Sequence, residues 1–342
     1  MKKFFFPTCG KTAYKANLHC HTTFSDGRLT PENVKREYMA RGYSIVAYTD
    51  HEIPFVHSDL KDKDFLPITS YEASFNLIVP DRGHEYRRCY HLNMYAKREN
   101  NAVVVDPIIG KIKRWNKDAH RDKDYMPNYV GDFSDEAYTD EKINGFIRKA
   151  NENGYLVSLN HPAWSMQNFS DYKNIEGLWA IEMYNHGCAV AGHIEDSGHI
   201  YDRMLRSGKR LFCESSDDNH NREPLSSPDS DSFGGFTVVY ADKLEYNAVM
   251  TALENGDFYS SCGPTFESAY FEDGKVYIKC SPVRSIRLLN EGRDAPVAIA
   301  REGELITEAV FDVEPSFVGR YIRVDIRDEN GRFADTNPMY LD

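Results

Sequence analysis

The chain has 342 residues, 41% of them hydrophobic, and a formal net charge of −12 at pH 7. This length is enough to bury one large core and a small additional domain. The acidic balance disfavours nucleic acid as a partner over a broad surface, which would need a basic patch, and the absence of an apolar run of about 18 residues argues against a membrane span.

The cysteines and the N-terminus bear on the compartment. Seven cysteines are scattered along the sequence and none belongs to a C-x-x-C pair. An odd, dispersed set of this kind is typical of a reducing environment. Residues 2–6 begin like an export signal, but Pro7 ends the apolar run far too early. We therefore expect a cytoplasmic protein.

The first predicted elements place two histidines and an aspartate close together. Residues 12–18 predict a strand that runs into His19-Cys20-His21, and Ser25-Asp26-Gly27 predicts a turn. Because side chains alternate in an extended strand, His19 and His21 point the same way and could hold one cation. The turn would fold Asp26 back as a third candidate ligand. The alternative, two half-buried histidines satisfied by hydrogen bonds, remains open at this point.

Later predicted strands also carry an acidic or imidazole side chain, in most cases where the strand ends. One helix is predicted to begin at Thr30-Pro31 and to end at Gly42, and another covers 140–153. Because working residues lie at strand ends in α/β barrels, the recurrence favours a shared metal site. The strands and their candidates are 44–48 with Thr49-Asp50-His51, 65–71 with Glu72, 89–96 with His91, 155–160 with His161-Pro162, and 211–214 with Asp218 and His220.

In their order these motifs resemble the polymerase and histidinol phosphatase (PHP) superfamily over about residues 12–264. The resemblance implies an α/β fold, an irregular (β/α) barrel of the PHP type in residues 1–265, with two or three divalent transition metals at the strand ends. It also implies a ligand set. His19, His21, Glu72 and Asp218 would hold one metal, Glu72 would bridge to a second held by His91 and His161, and Asp26, His51 and His220 would hold a third.

Two features of this implied ligand set remain open. Many members of the superfamily have histidine where Asp26 stands, so the third metal is where this sequence departs from the common pattern. Imidazole combined with carboxylate ligands suits Zn, Mn or Fe and argues against Ca or Mg, but it does not choose among the first three.

Three further residues near the motifs are candidates for supporting or catalytic roles. Glu182, in a predicted strand, could orient a ligand imidazole, as metal-bound histidines commonly require. His186 could contact the substrate or donate a proton, or it could be a solvated loop histidine. Arg222, two residues past His220, could clamp a phosphate through its planar guanidinium, or could form a surface ion pair.

The connection over 108–135 is long, charged and rich in turn residues. Such a length between two ligand strands predicts a lid or a specificity loop, with a flexible surface insertion as the alternative.

From residue 266 the pattern changes to short strands separated by turn signals, over about 268–271, 275–280, 285–290, 305–313 and 321–328. Period-2 alternation gives each strand one buried face, so residues 266–342 predict a small all-β, sandwich-like domain. We expect it to pack against the barrel or against a second subunit, which makes a homo-oligomer possible; carbohydrate binding is the alternative.

The function that follows is metal-dependent hydrolysis of a small phosphoester. Metal coordination lowers the pKa of water to about 7, and paired metals can hold both the attacking and the leaving oxygen of a displacement at phosphorus. Three divalent cations would outweigh the three ligand carboxylates, so the site would attract a small phosphorylated metabolite while the acidic surface repels polyanions. An exonuclease-like phosphodiesterase, a metal-dependent amidohydrolase and a non-catalytic metal-binding module are the alternatives.

Overall fold

The computed structural model describes residues 2–81, 84–108, 111–112, 114, 125, 127–131, 138–313 and 319–341. Most of the connection over 108–135, including residues 115–124, lies outside the described residues, so its predicted role as a lid stays a prediction. Within the described ranges, no helix is both long enough and apolar enough to cross a membrane.

The described elements alternate helices and strands in the N-terminal part and are strands in the C-terminal part. The helices are α1 (Pro31–Met39), α2 (Asp140–Glu152), α3 (Phe169–Tyr172), α4 (His186–Val190), α5 (Gly198–Arg206) and α6 (Tyr246–Asn255), with a 3₁₀ turn at Ser58–Leu60. The strands are β1 (Lys3–Phe4), β2 (Thr12–Asn17), β3 (Tyr43–Tyr48), β4 (Leu66–Asp81), β5 (His84–Ala96), β6 (Val103–Val105), β7 (Asn128–Val130), β8 (Tyr155–Leu159), β9 (Ala180–Asn185), β10 (Phe212–Ser216), β11 (Phe236–Ala241), β12 (Phe258–Ser261), β13 (Phe266–Glu272), β14 (Lys275–Val283), β15 (Ser285–Asn290), β16 (Val297–Ile299), β17 (Ile306–Asp312), β18 (Tyr321–Arg327), β19 (Phe333–Thr336) and β20 (Met339–Tyr340).

One large mixed sheet contains most of these strands, in the order β10-β9-β8-β5-β4-β3-β2-β11-β12-β19-β18-β15-β16, with β20 paired to β18. The predicted α/β class is confirmed. No ladder of the described residues closes the predicted barrel; an isolated parallel bridge joins Cys20, beyond β2, to Asn219, beyond β10. Side-chain contacts also link β10 to β11: Thr237 Oγ1 lies 3.1 Å from Ser215 N and 3.0 Å from Ser215 O.

Strand ends place most of the predicted ligands, as the sequence indicates. β2, β3, β8 and β10 end shortly before His19, His51, His161 and Asp218 respectively. Glu72 differs, because β4 does not end at Tyr71 but continues to Asp81.

The long β4 is one arm of a hairpin with β5. The two strands pair antiparallel from Ser70 opposite Tyr95 to Asp81 opposite His84. Cross-strand bonding keeps β4 extended beyond the ligand position. Glu72 and His91 therefore reach the site from within a ladder, with His91 opposite Ser74.

The C-terminal strands are divided between two sheets that share a core. A four-stranded sheet, β1-β13-β14-β17, packs on the end of the large sheet, and Val276, Ile278, Ile286 and Val324 from the two sheets lie in one buried cluster. β19 pairs with β12, so the C-terminal strands also continue the large sheet. The domain boundary at residue 265 stays a prediction.

Candidate metal centre

All nine sequence-predicted ligands lie together, in four overlapping groups. Within each group the candidate ligand atoms are all within 4.8 Å of one another. The groups are His21, Asp26, His51 and His220; His19, His21 and Glu72; His19, His161 and Asp218; and Glu72, His91 and His161. The group around Glu72, His91 and His161 matches the expected second metal, whereas the expected first set is divided between two groups. How the residues divide among individual metals stays a prediction.

The centre of the site is a carboxylate faced by two imidazoles. The Nε2 atoms of His19 and His21 are 3.2 Å apart, and each lies 3.1 Å from Oδ1 of Asp218. The backbone of Asp218 is left-handed, with φ of 53°, and its N–H donates to the His19 carbonyl over 2.9 Å. A non-glycine residue adopts this conformation at a cost, and such strain is concentrated at functional sites.

The outer ring nitrogens of three histidines are held by other groups. His19 Nδ1 lies 3.0 Å from Oε1 of Glu182, His161 Nδ1 lies 3.1 Å from Ser165 Oγ, and His220 Nδ1 lies 3.0 Å from the Asp218 carbonyl. A partner at Nδ1 fixes the ring and leaves Nε2 free to coordinate, as in protein metal sites. The donor set therefore fits bound cations, and Glu182 contacts a candidate ligand as the sequence predicts.

Charge within the cluster keeps the carboxylates ionised. Burial alone would raise the pKa of Glu72, but the charges of His91 and His19 outweigh it and hold the pKa well below its usual range. Burial, together with His220 and His51, lowers the pKa of His21 to about 4. At neutral pH the Glu72 carboxylate is thus ionised and the His21 imidazole is neutral, the forms in which these two groups bind metal ions.

Asp26 belongs to the outer group of ligands. Its Oδ1 lies 3.3 Å from His220 Nε2, 3.6 Å from His51 Nε2 and 3.8 Å from His21 Nδ1. Its Oδ2 lies 3.3 Å from Nη2 of Arg222, whose side chain is largely exposed. The turn over 25–27 therefore brings Asp26 back to the strand end, as its sequence predicts.

Two aspartates that the sequence analysis did not single out hold the ligand loops. Asp50 accepts bonds from Thr22 N and from the Ser25 hydroxyl, over 2.9 and 2.6 Å. Asp231 accepts from His220 N over 2.7 Å. Asp50 lies inside a quoted motif and could have been suspected, whereas Asp231 lies in a loop with no sequence signal.

A cavity of about 480 Å³ opens onto the cluster. Seven of the candidate ligands and Arg222 line part of it, and Trp164, Gly187, Cys188, Val190 and Ala191 line another part. The cavity could hold a small molecule against the candidate ligands and the guanidinium.

His186 begins α4 next to this wall, but its ring is absent from the described lining of the cavity. Its Nδ1 lies 3.0 Å from the Tyr184 hydroxyl. The ring packs so closely on Gly234 that a Cβ there would lie 2.1 Å from His186 Nδ1. The predicted role of His186 as a proton donor stays a prediction, and these contacts give it a second function, namely packing between Tyr184 and the 233–235 loop.

No family model and no curated protein sequence matches the chain. Among solved structures, it is similar over 99% of its length to 98% of a two-domain protein from Bacteroides vulgatus containing a predicted PHP-like metal-dependent phosphoesterase, with 14% identity and a TM-score of 0.45. It is also similar, over 63% of its length, to 91% of a Bifidobacterium adolescentis protein provisionally assigned as a metal-dependent phosphoesterase (13% identity, TM-score 0.37). An amidohydrolase from Chromobacterium violaceum, with bound sulfate and no metal, matches over 71% of this chain and 96% of its own (15% identity, TM-score 0.36). Similarities this distant carry no argument about function.

Proposed function

We propose that this chain is a metal-dependent phosphoesterase of the PHP type that hydrolyses a small phosphoester. One observation carries the proposal: six histidines and three carboxylates, spread from residue 19 to residue 220, converge with their ligand atoms within coordinating reach. A packed core gains nothing from gathering so many titratable groups, which are costly to bury unless they are paired or coordinate metals.

The donor set supports two or three divalent transition metals, Zn, Mn or Fe, at one end of an irregular barrel, since imidazole and carboxylate ligands occur together. When bound, such cations lower the pKa of coordinated water to about 7 and so supply a nucleophile at neutral pH. The nine predicted ligands would hold them, and Glu182 and Ser165 would keep the imidazoles of His19 and His161 in orientation.

Arg222 is suited to bind the substrate phosphate. It lies at the cavity, and its side chain is 64% exposed, so its guanidinium can exchange the contact with Asp26 for a planar contact with phosphate oxygens. The cavity volume and the acidic net charge support a small phosphorylated metabolite over a nucleic acid.

The state of the cysteines supports a cytoplasmic location. All seven are free thiols, and six of them are buried. Unpaired cysteines in this number are expected where thiols remain reduced.

A pair of chromogenic substrates tests the reaction class. Metal-loaded protein is assayed with p-nitrophenyl phosphate and with p-nitroacetanilide, and the same preparation is assayed after chelation. We expect cleavage of the phosphate ester, lost on chelation and restored by Mn, Zn or Fe(II). Cleavage of the anilide alone would place the chain among metal-dependent amidohydrolases instead.

A further inference from the structure

One wall of the cavity belongs to a segment that joins β9 to α5. We call residues 186–197 the wall segment; it contributes Gly187, Cys188, Val190 and Ala191 to the cavity lining. Its first turn is bonded to residues of the metal centre through Asn185. The side-chain oxygen of Asn185 accepts from Cys188 N over 2.8 Å, and its amide nitrogen donates to Glu182 and Asp218 over 2.9 and 3.1 Å.

The far end of the wall segment is bonded to Trp164, which also lines the cavity. Glu195 is buried, and its Oε1 accepts a bond from Trp164 N over 3.1 Å. Trp164 lines the cavity and stacks edge-on to His161 with ring centroids 4.9 Å apart. The position of Glu195 therefore helps to determine where the Trp164 ring lies relative to the candidate ligands.

Between these two ends residues 191–194 are exposed to solvent, and Ile194 is 85% exposed. A stretch with few packing contacts takes its position from its anchored ends. The residues that hold the far end are thus the ones that set the shape of this wall.

The C-terminal strands contribute to holding that far end, together with the bond from Ser197 N to the Met183 carbonyl over 3.0 Å. Nη1 of Arg327, in β18, lies 2.8 Å from Oδ2 of Asp196, the residue after Glu195. Arg323, also in β18 and only 2% exposed, donates from Nε to Asp202 in α5 over 2.9 Å. The guanidinium of Arg327 also lies over the ring of Phe333, 5.0 Å from its centroid.

The same C-terminal part supports the near end. The ring of Phe333 packs edge-on to Tyr184, with centroids 5.9 Å apart, and Tyr184 lies just before the wall segment in β9. Residues more than a hundred positions later in the sequence thus brace the wall segment at both ends.

We propose that Arg327 is a positioning residue for the substrate-binding wall: through Asp196 it sets the placement of the wall segment and of Trp164, and so the affinity for the part of the substrate that lies beyond the phosphate. The expected change in substrate affinity rests on the proposed function, whereas the expected change in the placement of the wall segment does not.

Arg327→Gln tests this inference, because it removes the ion pair with Asp196; it also removes the contact of Arg327 Nε with Asp325 Oδ2, 3.2 Å, within β18. Asp325 keeps Arg287, 3.3 Å away, and Asp196 still accepts from Gly198 N over 3.1 Å. We expect KM for p-nitrophenyl phosphate to rise about threefold, the effect of losing the partly exposed ion pair with Asp196, with kcat and metal content unchanged. Asp196→Asn should give the same rise, and the double variant should add little to either.

The matched control is Lys275→Gln. Lys275 forms an exposed ion pair with Asp312 over 2.6 Å in the four-stranded sheet, away from the wall segment. An unchanged KM in Arg327→Gln, or an equal rise in Lys275→Gln, would overturn the positioning role.

Amide hydrogen exchange provides a readout that needs no activity. In Arg327→Gln we expect faster exchange in peptides covering 187–197, with exchange in β2 (Thr12–Asn17) unchanged. If wild-type protein hydrolyses no phosphate ester, the proposed function fails, and exchange alone then decides the structural inference. Unchanged exchange in the wall segment would overturn it.

Discussion

The carboxylate of Glu182 and the imidazole of His19 form a buried hydrogen bond, with Oε1 3.0 Å from Nδ1. Burial alone would raise the pKa of Glu182, but the charge of His19 and this bond lower it, so the carboxylate is ionised. The other oxygen of Glu182 accepts from His161 N over 2.8 Å. One buried carboxylate therefore orients two candidate ligands on different strands.

Glu182→Gln should weaken metal binding without unfolding the protein. The substitution preserves shape but removes the charge that holds the His19 ring, and changes of this kind lower metal affinity about 10- to 100-fold. Competition of the protein with a chromogenic chelator measures that affinity.

The control is Glu214→Gln, because Glu214 lies opposite Glu182 in the β9–β10 pairing. Burial raises the pKa of Glu214 to about 8, so this carboxyl group is mostly neutral at pH 7. The neutral amide of the substituted glutamine therefore differs little from it in charge. Equal losses of affinity in the two variants would contradict a specific role for Glu182.

Asp26→Asn should remove one metal and leave the others. Asp26 contacts the outer imidazoles, His51 and His220, and lies outside the groups built around Glu72. Elemental analysis should show about one equivalent fewer than in the wild type. Arg222→Gln, which removes a neighbour of Asp26 but no ligand, should keep the full content. An unchanged content in Asp26→Asn would mean that this carboxylate holds no metal.

The stability of the metal-free protein should fall from neutral to alkaline pH. Burial would lower the pKa of His220, but Asp26 and Asp218 outweigh it and raise the pKa from 6.5 to about 9. A raised folded-state pKa gives stability that is complete below pH 6.5 and is lost as the pH rises through about 9. The Tm of chelated protein should therefore decline over this window.

Metal affinity should change in the opposite direction, because imidazoles must lose their protons to coordinate. Asp26→Asn should flatten the Tm decline, since it removes the main partner of His220. If the Tm of the chelated wild type rises from pH 6.5 to 9, the predicted loss of stability with rising pH is wrong.

The preferred substrate should be a small ester whose hydrolysis depends weakly on salt. A polymer bound through several phosphates shows a log-log salt slope of about −0.7 to −0.9 for each phosphate neutralised. We expect kcat/KM for a mononucleotide or sugar phosphate to be higher than for an oligonucleotide and nearly flat from low to physiological salt. Faster, strongly salt-sensitive cleavage of the oligonucleotide would indicate an exonuclease-like enzyme.

Local sequence was sufficient to predict features that depend on short-range geometry. The same-side placement of His19 and His21 follows from alternation in an extended segment, and α2 (Asp140–Glu152) lies within the helix predicted over 140–153. The Asp26 turn follows from its Ser-Asp-Gly sequence. Each of these involves residues a few positions apart.

Features that depend on distant contacts were not predictable in this way. The extension of β4 beyond Glu72 depends on its pairing with β5. The contact of His186 with Gly234, and the bond from His220 N to Asp231, depend on how one loop packs over another. The Arg327–Asp196 pair joins a connecting segment to a strand more than a hundred positions later, which no local pattern encodes.

The central claim is that the clustered ligands hold metals that are required for phosphoester hydrolysis. Its most direct test is a titration of chelated protein with Mn, Zn or Fe(II), following hydrolysis of p-nitrophenyl phosphate, for the wild type and His19→Ala. We predict activity that saturates near about two or three equivalents in the wild type and stays absent in a folded His19→Ala protein. Full activity in the metal-free wild type, or in His19→Ala, would contradict the claim.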